Sequence, residues 1–317
     1  MIRFRGAIIF SACAAWLLVP AATVQAQQQF QFIIAASDAQ GNPVSDLTTD
    51  DILMSENGMP NTIVKVEPFR RPVQVTVAVD NGVASREMLS HYRTGLEGLV
   101  KALPEDVEVT LITIAPQPRR VVSATTNREE LLRGINQFGP ENAAPKFSDA
   151  LVEFAKRYED EFEEKQVMDS IPVLVMVSTT ANESQSYQPE EINRALLFLR
   201  GRRALIDVAV ISTRGDVTSV SQINENMQAL IAIPAVKNTG GHYEALAIST
   251  RIATLLPEWG AEIAALHTKF NNQWLVTVQR AEGLTGGLQN PQVGLTRDGL
   301  DGEVSLDGMP ALTPVEN

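Results

Sequence analysis

Apolar and polar positions alternate with two different periods along this chain, and the change of period divides it. From Phe30 to Glu67 the pattern is that of strands: FQFIIAASD alternates loosely, AQGNP reads as a turn, and ILMSENGMPNTIVKVEPF reads as two strands joined at Asn57-Gly58, a strong short hairpin signal. Pro68, Arg70, Arg71 and Pro72 mark a linker. After it, Val73 to Asp80 is apolar at nearly every position, as in a strand buried on both faces. Ser85 to Leu103 then places Met88, Tyr92, Leu96, Leu99 and Leu103 on one helical face.

The same alternation continues. Val107 to Ala115 and Arg120 to Ala124 suit two strands meeting at Pro116-Gln117-Pro118, and Asn127 caps a helix with Glu130 in capping-box position. Helices follow at Phe147 to Glu164, at Gln188 to Leu199 with Gly201 closing it, at Ser221 to Val236, and at Ser249 to Phe270 despite Pro257. Strands are expected at Ile171 to Ser178, Ala204 to Ser212 and Gln273 to Gln279, with short ones near Gln292 to Thr296 and Glu303 to Leu306. Strands separated by helices imply a Rossmann-like, mostly parallel central sheet flanked by helices, an α/β fold with a small β subdomain.

The first residues change the picture of where this domain works. Arg3 and Arg5 precede an apolar run, Gly6 to Pro20, too short to span a bilayer, and Val24-Gln25-Ala26 has the small-x-small form of a cleavage site. A signal peptide over residues 1–26 is therefore expected, followed by a β segment at 27–70, an α/β domain at 71–280 and a tail at 281–317. The expected location is periplasmic or extracellular. Cys13 is the only cysteine, so the exported chain of 291 residues has no thiol chemistry. The net charge of −12 becomes −14 without Arg3 and Arg5, which disfavours nucleic acid, whose affinity rests on Lys and Arg displacing counterions. No later segment is apolar enough for membrane insertion.

The ordered words VAVD, VEVTLITIA with RRVVSA, FSDALVEFA, VLVMVS, LIDVAVIS and NTGGHY resemble those of a von Willebrand factor type A domain. The preceding Gly41, Pro43, Val44, Leu47, Asp51, Ile52, Glu56 and Gly58 resemble the β lead-in of secreted bacterial proteins carrying such domains. The resemblance implies a binding module whose metal-ion-dependent adhesion site uses Asp-x-Ser-x-Ser, a Thr and a later Asp. Carried over by position, Asp80 keeps the first ligand, whereas the serine positions hold Gly82 and Ala84, the threonine position holds Pro145, and the second carboxylate is replaced by Thr179. Hard cations need a shell of oxygen ligands, so this site is degenerate. Asp80 is then either a residual ligand, or a cap for the helix starting near Ala84 or Ser85 or a side chain bonded to loop amides. Ser178, Thr179 and Thr180 are either a contact patch at the strand ends or ordinary turn chemistry.

Other chemistry finds little support. There is no Gly-x-Ser-x-Gly elbow and no phosphate-binding glycine loop. His91 is expected on an exposed helix face, His242 at a polar surface, and His267 near a helix C-terminus where a cation would suit the dipole. Asp298, Asp301 and Asp307 do not have calcium-loop spacing. The expectation is an exported, non-enzymatic protein-binding, adhesion or scaffold module with no cofactor and no bound metal. Its surface would comprise Asp80, Asn81, Gly82, Ala84, Ser85, Pro145, Lys146, Ser178, Thr179 and Thr180. The alternatives are a metal held by Asp80, Ser85 and a hydroxyl among Ser178 to Thr180, and a hydrolase with an unrecognised site.

Overall fold

A computed structural model describes residues 28–165, 169–213, 220–284 and 286–306. The expected signal peptide and Asp307 lie outside them. The α/β part is built on β5 (Val73–Val79), β6 (Glu108–Thr113), β7 (Arg119–Thr125), β8 (Ile171–Thr179), β9 (Leu205–Ile211) and β10 (Tyr243–Leu246). These form one sheet in the order β10-β9-β8-β5-β6-β7, parallel except for the β6–β7 pair. Renumbered within the sheet, that order is the doubly wound 3-2-1-4-5-6.

Both faces are covered, which explains the continuous apolar runs. Leu89, Tyr92, Leu96 and Leu99 of α1 (Leu89–Ala102), Leu131 and Ile135 of α2 (Arg128–Gln137), and Ile252, Leu256 and Trp259 of α7 (Ile252–Phe270) pack with alternate residues of β5 and β8 on one side. On the other lie α3 (Phe147–Lys165), α4 (Pro189–Gly201), α5 (Val220–Asn224) and α6 (Met227–Thr239), which supply Phe147, Leu151, Leu199, Ile223 and Ala235. All nine residues of β8 are buried. None of the described helices is long and apolar enough to cross a membrane.

The remaining strands are β1 (Gln29–Ser37), β2 (Ile52–Glu56), β3 (Met59–Pro60), β4 (Thr62–Phe69), β11 (Gln273–Gln279), β12 (Pro291–Leu295) and β13 (Asp301–Ser305). They form two antiparallel sheets, β13-β1-β11-β4 and β12-β2-β3, around a core of Phe32, Ile34, Val44, Leu47, Ile52, Met54, Val276 and Val278. The expected hairpin is present, with Asn57 at φ 50° and Gly58 at φ 77°, the left-handed pair that a two-residue turn requires. Its second arm breaks at Asn61, so β3 and β4 enter different sheets. The strand Gln273 to Gln279, expected within the α/β domain, instead pairs with β1 and β4. Its burial is interrupted rather than continuous, as suits a sheet with one wet face. The α/β part is thus set between two halves of the β part.

Those halves are locked by a buried ion pair. Arg280 donates through Nε to Glu56 Oε2 at 2.9 Å and through Nη2 to Oε1 at 2.5 Å, with only 4% and 0% of the two residues exposed. The guanidinium also reaches Gln28 Oε1 and the Gly286 carbonyl, and the Gln289 amide donates to Glu56.

Other local expectations shift. The helix expected from Ser85 begins as a 3-10 turn, Val83–Met88, before α1. The left-handed residue after α4 is Arg203, at φ 57°, rather than Gly201. The Asp-rich tail is tied by a cation of its own, Arg297, which pairs with Asp46 and Asp51 and holds the Asp51 carboxyl down at about 2.

The hydrogen bond from Arg280 holds the Glu56 carboxyl below its ordinary value, so this contribution to stability is present above the unfolded-state pKa and lost as pH falls through the depressed folded value. Glu56→Gln should therefore lower the melting temperature at pH 7, and thermal unfolding followed at pH 7 and pH 3 should show the gap to wild type narrowing in acid.

Candidate functional site

Where the chain leaves β5 for β6 on one side and β8 lies on the other, the sheet has its topological switch point, the place where such folds form a ligand crevice. Asp80 follows β5 and Thr179 ends β8, and the two meet there. The Asp80 amide donates to the Val177 carbonyl at 2.8 Å, continuing the ladder and fixing the carboxylate at the crevice floor.

Asp80 is fully buried and its oxygens are already engaged. Oδ1 accepts from the Gly82 amide at 2.7 Å and from Ser85 Oγ at 3.4 Å, while Oδ2 accepts from Thr179 Oγ1 at 2.7 Å. Burial raises its pKa, and the Gly82, Thr179 and Ser85 donors oppose that shift. The side chain therefore closes an Asx-type turn and ties two strand ends; it does not cap α1, whose first residue lies nine positions on.

The surrounding loops close over the position that a second ligand would need. A Cβ on Gly82 would lie 2.8 Å from the Ala143 carbonyl oxygen and 3.0 Å from Asp80 Oδ1. That same carbonyl accepts the Val83 amide at 3.1 Å. Asn81 holds the neighbouring loop, donating to the Gly139 carbonyl and accepting from the Ala115 amide, and its own carbonyl accepts from Glu141. Pro145 is buried beside Gly82. A hard divalent cation does not fit this donor set: both oxygens of the Asp80 carboxylate already accept from protein donors, and no group of three His, Cys, Asp or Glu converges among the described residues.

The residues expected to form a contact surface divide by exposure. Asp80, Asn81, Gly82, Ser85, Pro145, Ser178 and Thr179 are buried, whereas Ala84, Lys146 and Thr180 are partly exposed and Val83 is 51% exposed. The buried group forms a hydrogen-bonded floor; the rim consists of Val83, Ala84, Ala144, Thr180 and Asn182. Thr180 Oγ1 accepts the Thr213 amide at 3.0 Å, linking β8 to the end of β9. The Ser178 hydroxyl is buried without a hydrogen-bond partner.

The bonding partners of several rim positions escaped sequence reasoning. Lys146 lies 3.2 Å from Asp149 Oδ2 and donates to Ser186 Oγ, while Ser148 donates to Glu183 through both its amide and its hydroxyl. These bonds fold the 183–187 loop onto the start of α3. Gln228 Nε2 donates to the Ala181 carbonyl at 2.6 Å. Only the order Lys-Phe-Ser-Asp at 146–149 hinted at this, since the partners are almost forty residues away.

The histidines also differ from expectation. His91 is partly buried, with Nδ1 2.9 Å from Ser249 Oγ. His267 is buried, with the Val73 amide donating to its Nδ1 and its Nε2 3.2 Å from Asp106 Oδ2. His242 is exposed, as expected, and its hydrogen bond with Asp207 raises its pKa.

Two variants follow from this geometry. Gly82→Ser, which would restore a hydroxyl, should cost about 1–3 kcal/mol because backbone rather than a flexible side chain occupies the space; denaturant unfolding measures it. Asp80→Ala should cost about 2–4 kcal/mol by stranding buried donors. Because burial raises the Asp80 pKa, its stability share is present below the unfolded value and lost as pH rises through the folded one. The melting temperature of Asp80→Asn relative to wild type should thus be higher at pH 7 than at pH 3.

No family model matches the sequence, and no curated protein matches it. Among solved structures, the chain is similar to a von Willebrand factor type A protein from Catenulispora acidiphila at 8% identity, over 89% of this chain and 75% of that one, with a TM-score of 0.48. It is similar to the conserved hypothetical protein BatB from Bacteroides thetaiotaomicron at 11% identity, over 61% and 98%, with a TM-score of 0.43. A third is the manganese-loaded TRAP protein of Plasmodium vivax, at 13% identity, over 78% and 98%, with a TM-score of 0.44.

Proposed function

We propose that this chain is an exported, non-enzymatic protein-interaction module that works without a bound metal, with the rim of the crevice as its contact surface. The supporting observation is the state of Asp80: its carboxylate accepts from Gly82, Ser85 and Thr179, which leaves it no role as an outward ligand. A contact there would be made by Val83, Ala84, Ala144, Thr180 and Asn182 through shape and backbone polarity. The partner is another protein; the net charge of −12 disfavours nucleic acid.

An enzymatic reading has no comparable support. In the His91–Ser249 contact, no carboxylate is bonded to the other His91 nitrogen among the described residues. Calorimetric titration with Mg²⁺, Mn²⁺ and Ca²⁺ tests the metal-free reading. The expected result is no saturable binding tighter than millimolar, and micromolar binding abolished by Asp80→Ala would overturn it.

A further inference from the structure

The edge strand β7 and helix α3 enclose a cleft of about 350 Å³ beside the crevice, and its charge is opposite to that of the chain as a whole. Four cations line it, Arg119, Arg120, Lys156 and Arg157, against two carboxylates, Glu153 and Asp160. Glu153 is already engaged, accepting from the Tyr187 hydroxyl at 2.5 Å. Arg119 pairs with Glu141 at 2.7 Å, and Lys156 sits 4.2 Å from the centre of the Tyr187 ring. Arg120 makes no ion pair among the described residues. Arg157 lies 5.1 Å over the Tyr158 ring and its hydrogen bond goes to that residue's hydroxyl. A chain with an acidic excess of twelve thus leaves two guanidinium groups on one cleft without a carboxylate partner.

The floor and wall of the cleft add two features. Arg120 stands opposite Ile112 in the β6–β7 register, which places it on the sheet face that α3 covers. Thr76 of β5, 3% exposed, also lines the cleft. The wall is β7, whose single neighbour in the sheet is β6. Its seven residues therefore present a row of amides and carbonyls to the outside.

We propose that this cleft binds an extended acidic segment of a protein partner, which adds as a strand to the open edge of β7 and sets its carboxylates against Arg120 and Arg157. An added strand supplies main-chain hydrogen bonds, and residues at alternate positions reach the same face, so acidic side chains two apart would meet the guanidiniums. Arginine pairs carboxylates through two parallel donors, which makes the contact selective for acidic side chains over neutral amides. The proposal rests on the interaction-module reading and extends it to a surface outside the Asp80 crevice.

The test uses the protein with a fluorescein-labelled eight-residue peptide of alternating Thr and Glu, followed by anisotropy, with the Thr-Gln peptide and dextran sulfate as comparators. Saturable binding is expected to be at least about tenfold weaker for the Thr-Gln peptide. Arg120→Glu and Arg157→Gln should each weaken it several-fold, whereas Lys101→Glu, an exposed charge change on α1, should not. Melting curves confirm that each variant is folded. Amide exchange over 119–125 should slow on binding. The absence of peptide binding would mean that the arginines only guard the edge, and would overturn the proposal; so would binding unaffected by both arginine variants, binding of dextran sulfate with the same pattern, or binding without protection of β7. A peptide that fails to bind leaves the crevice reading standing, since that reading falls by the metal titration instead.

Discussion

A carboxylate buried at the end of a central parallel strand has to find its hydrogen bonds within the protein, and the loops of this domain are arranged around that requirement. Asp80 draws the Gly82 amide into a tight turn, takes the Thr179 hydroxyl from the neighbouring strand and reaches Ser85 in the following 3-10 turn. The turn brings Gly82 against the Ala143 carbonyl, and Asn81 anchors the loop that carries Ala143. Three segments far apart in sequence are thereby held at one place. Desolvation makes the charge costly, which is why each available donor is directed at it.

The same economy of buried charge appears at the other end of the molecule. Glu56 ends β2 in the first part of the chain and Arg280 follows β11 near its end, and their bidentate pair joins the two halves of the β part. The α/β part leaves from β4 and returns into β11, strands that are themselves paired. The entry and exit of the large domain are therefore adjacent, and the Arg71 amide, which donates to the Phe270 carbonyl, marks where they meet. In both places a buried ionisable group fixes the geometry of segments that local preference would leave free, the known use of such groups in specifying a single arrangement.

Between these two anchors lies a surface whose charge is unevenly distributed. Acidic groups crowd the last turns of α3, while Arg119, Arg120, Lys156 and Arg157 gather between β7 and α3. In a chain that repels polyanions at long range, a local reversal of sign at an open strand edge acts only on a partner that comes close in the right orientation. Lys and Arg on an edge also keep identical edges apart, so the cluster has a protective effect on β7 as well.

The order of strands and helices was legible in the sequence because period and burial are local properties: VQVTVAV and IPVLVMVS are apolar on both faces, and the amphipathic stripe of 88–103 can only be a surface helix. The Asn57-Gly58 hairpin and the Asn127 cap were equally local, and the latter accepts the Glu130 amide as its position implied. The altered ligand positions at Gly82, Ala84, Pro145 and Thr179 were visible as residue types. Tertiary structure alone decided that Asp80 is a closed knot rather than an open ligand, that β11 belongs with β1 and β4, and that Glu56 answers Arg280. Each of these joins residues from about one hundred to more than two hundred positions apart, and no periodicity in a chain records which distant donor will meet a buried acceptor once the two are folded together.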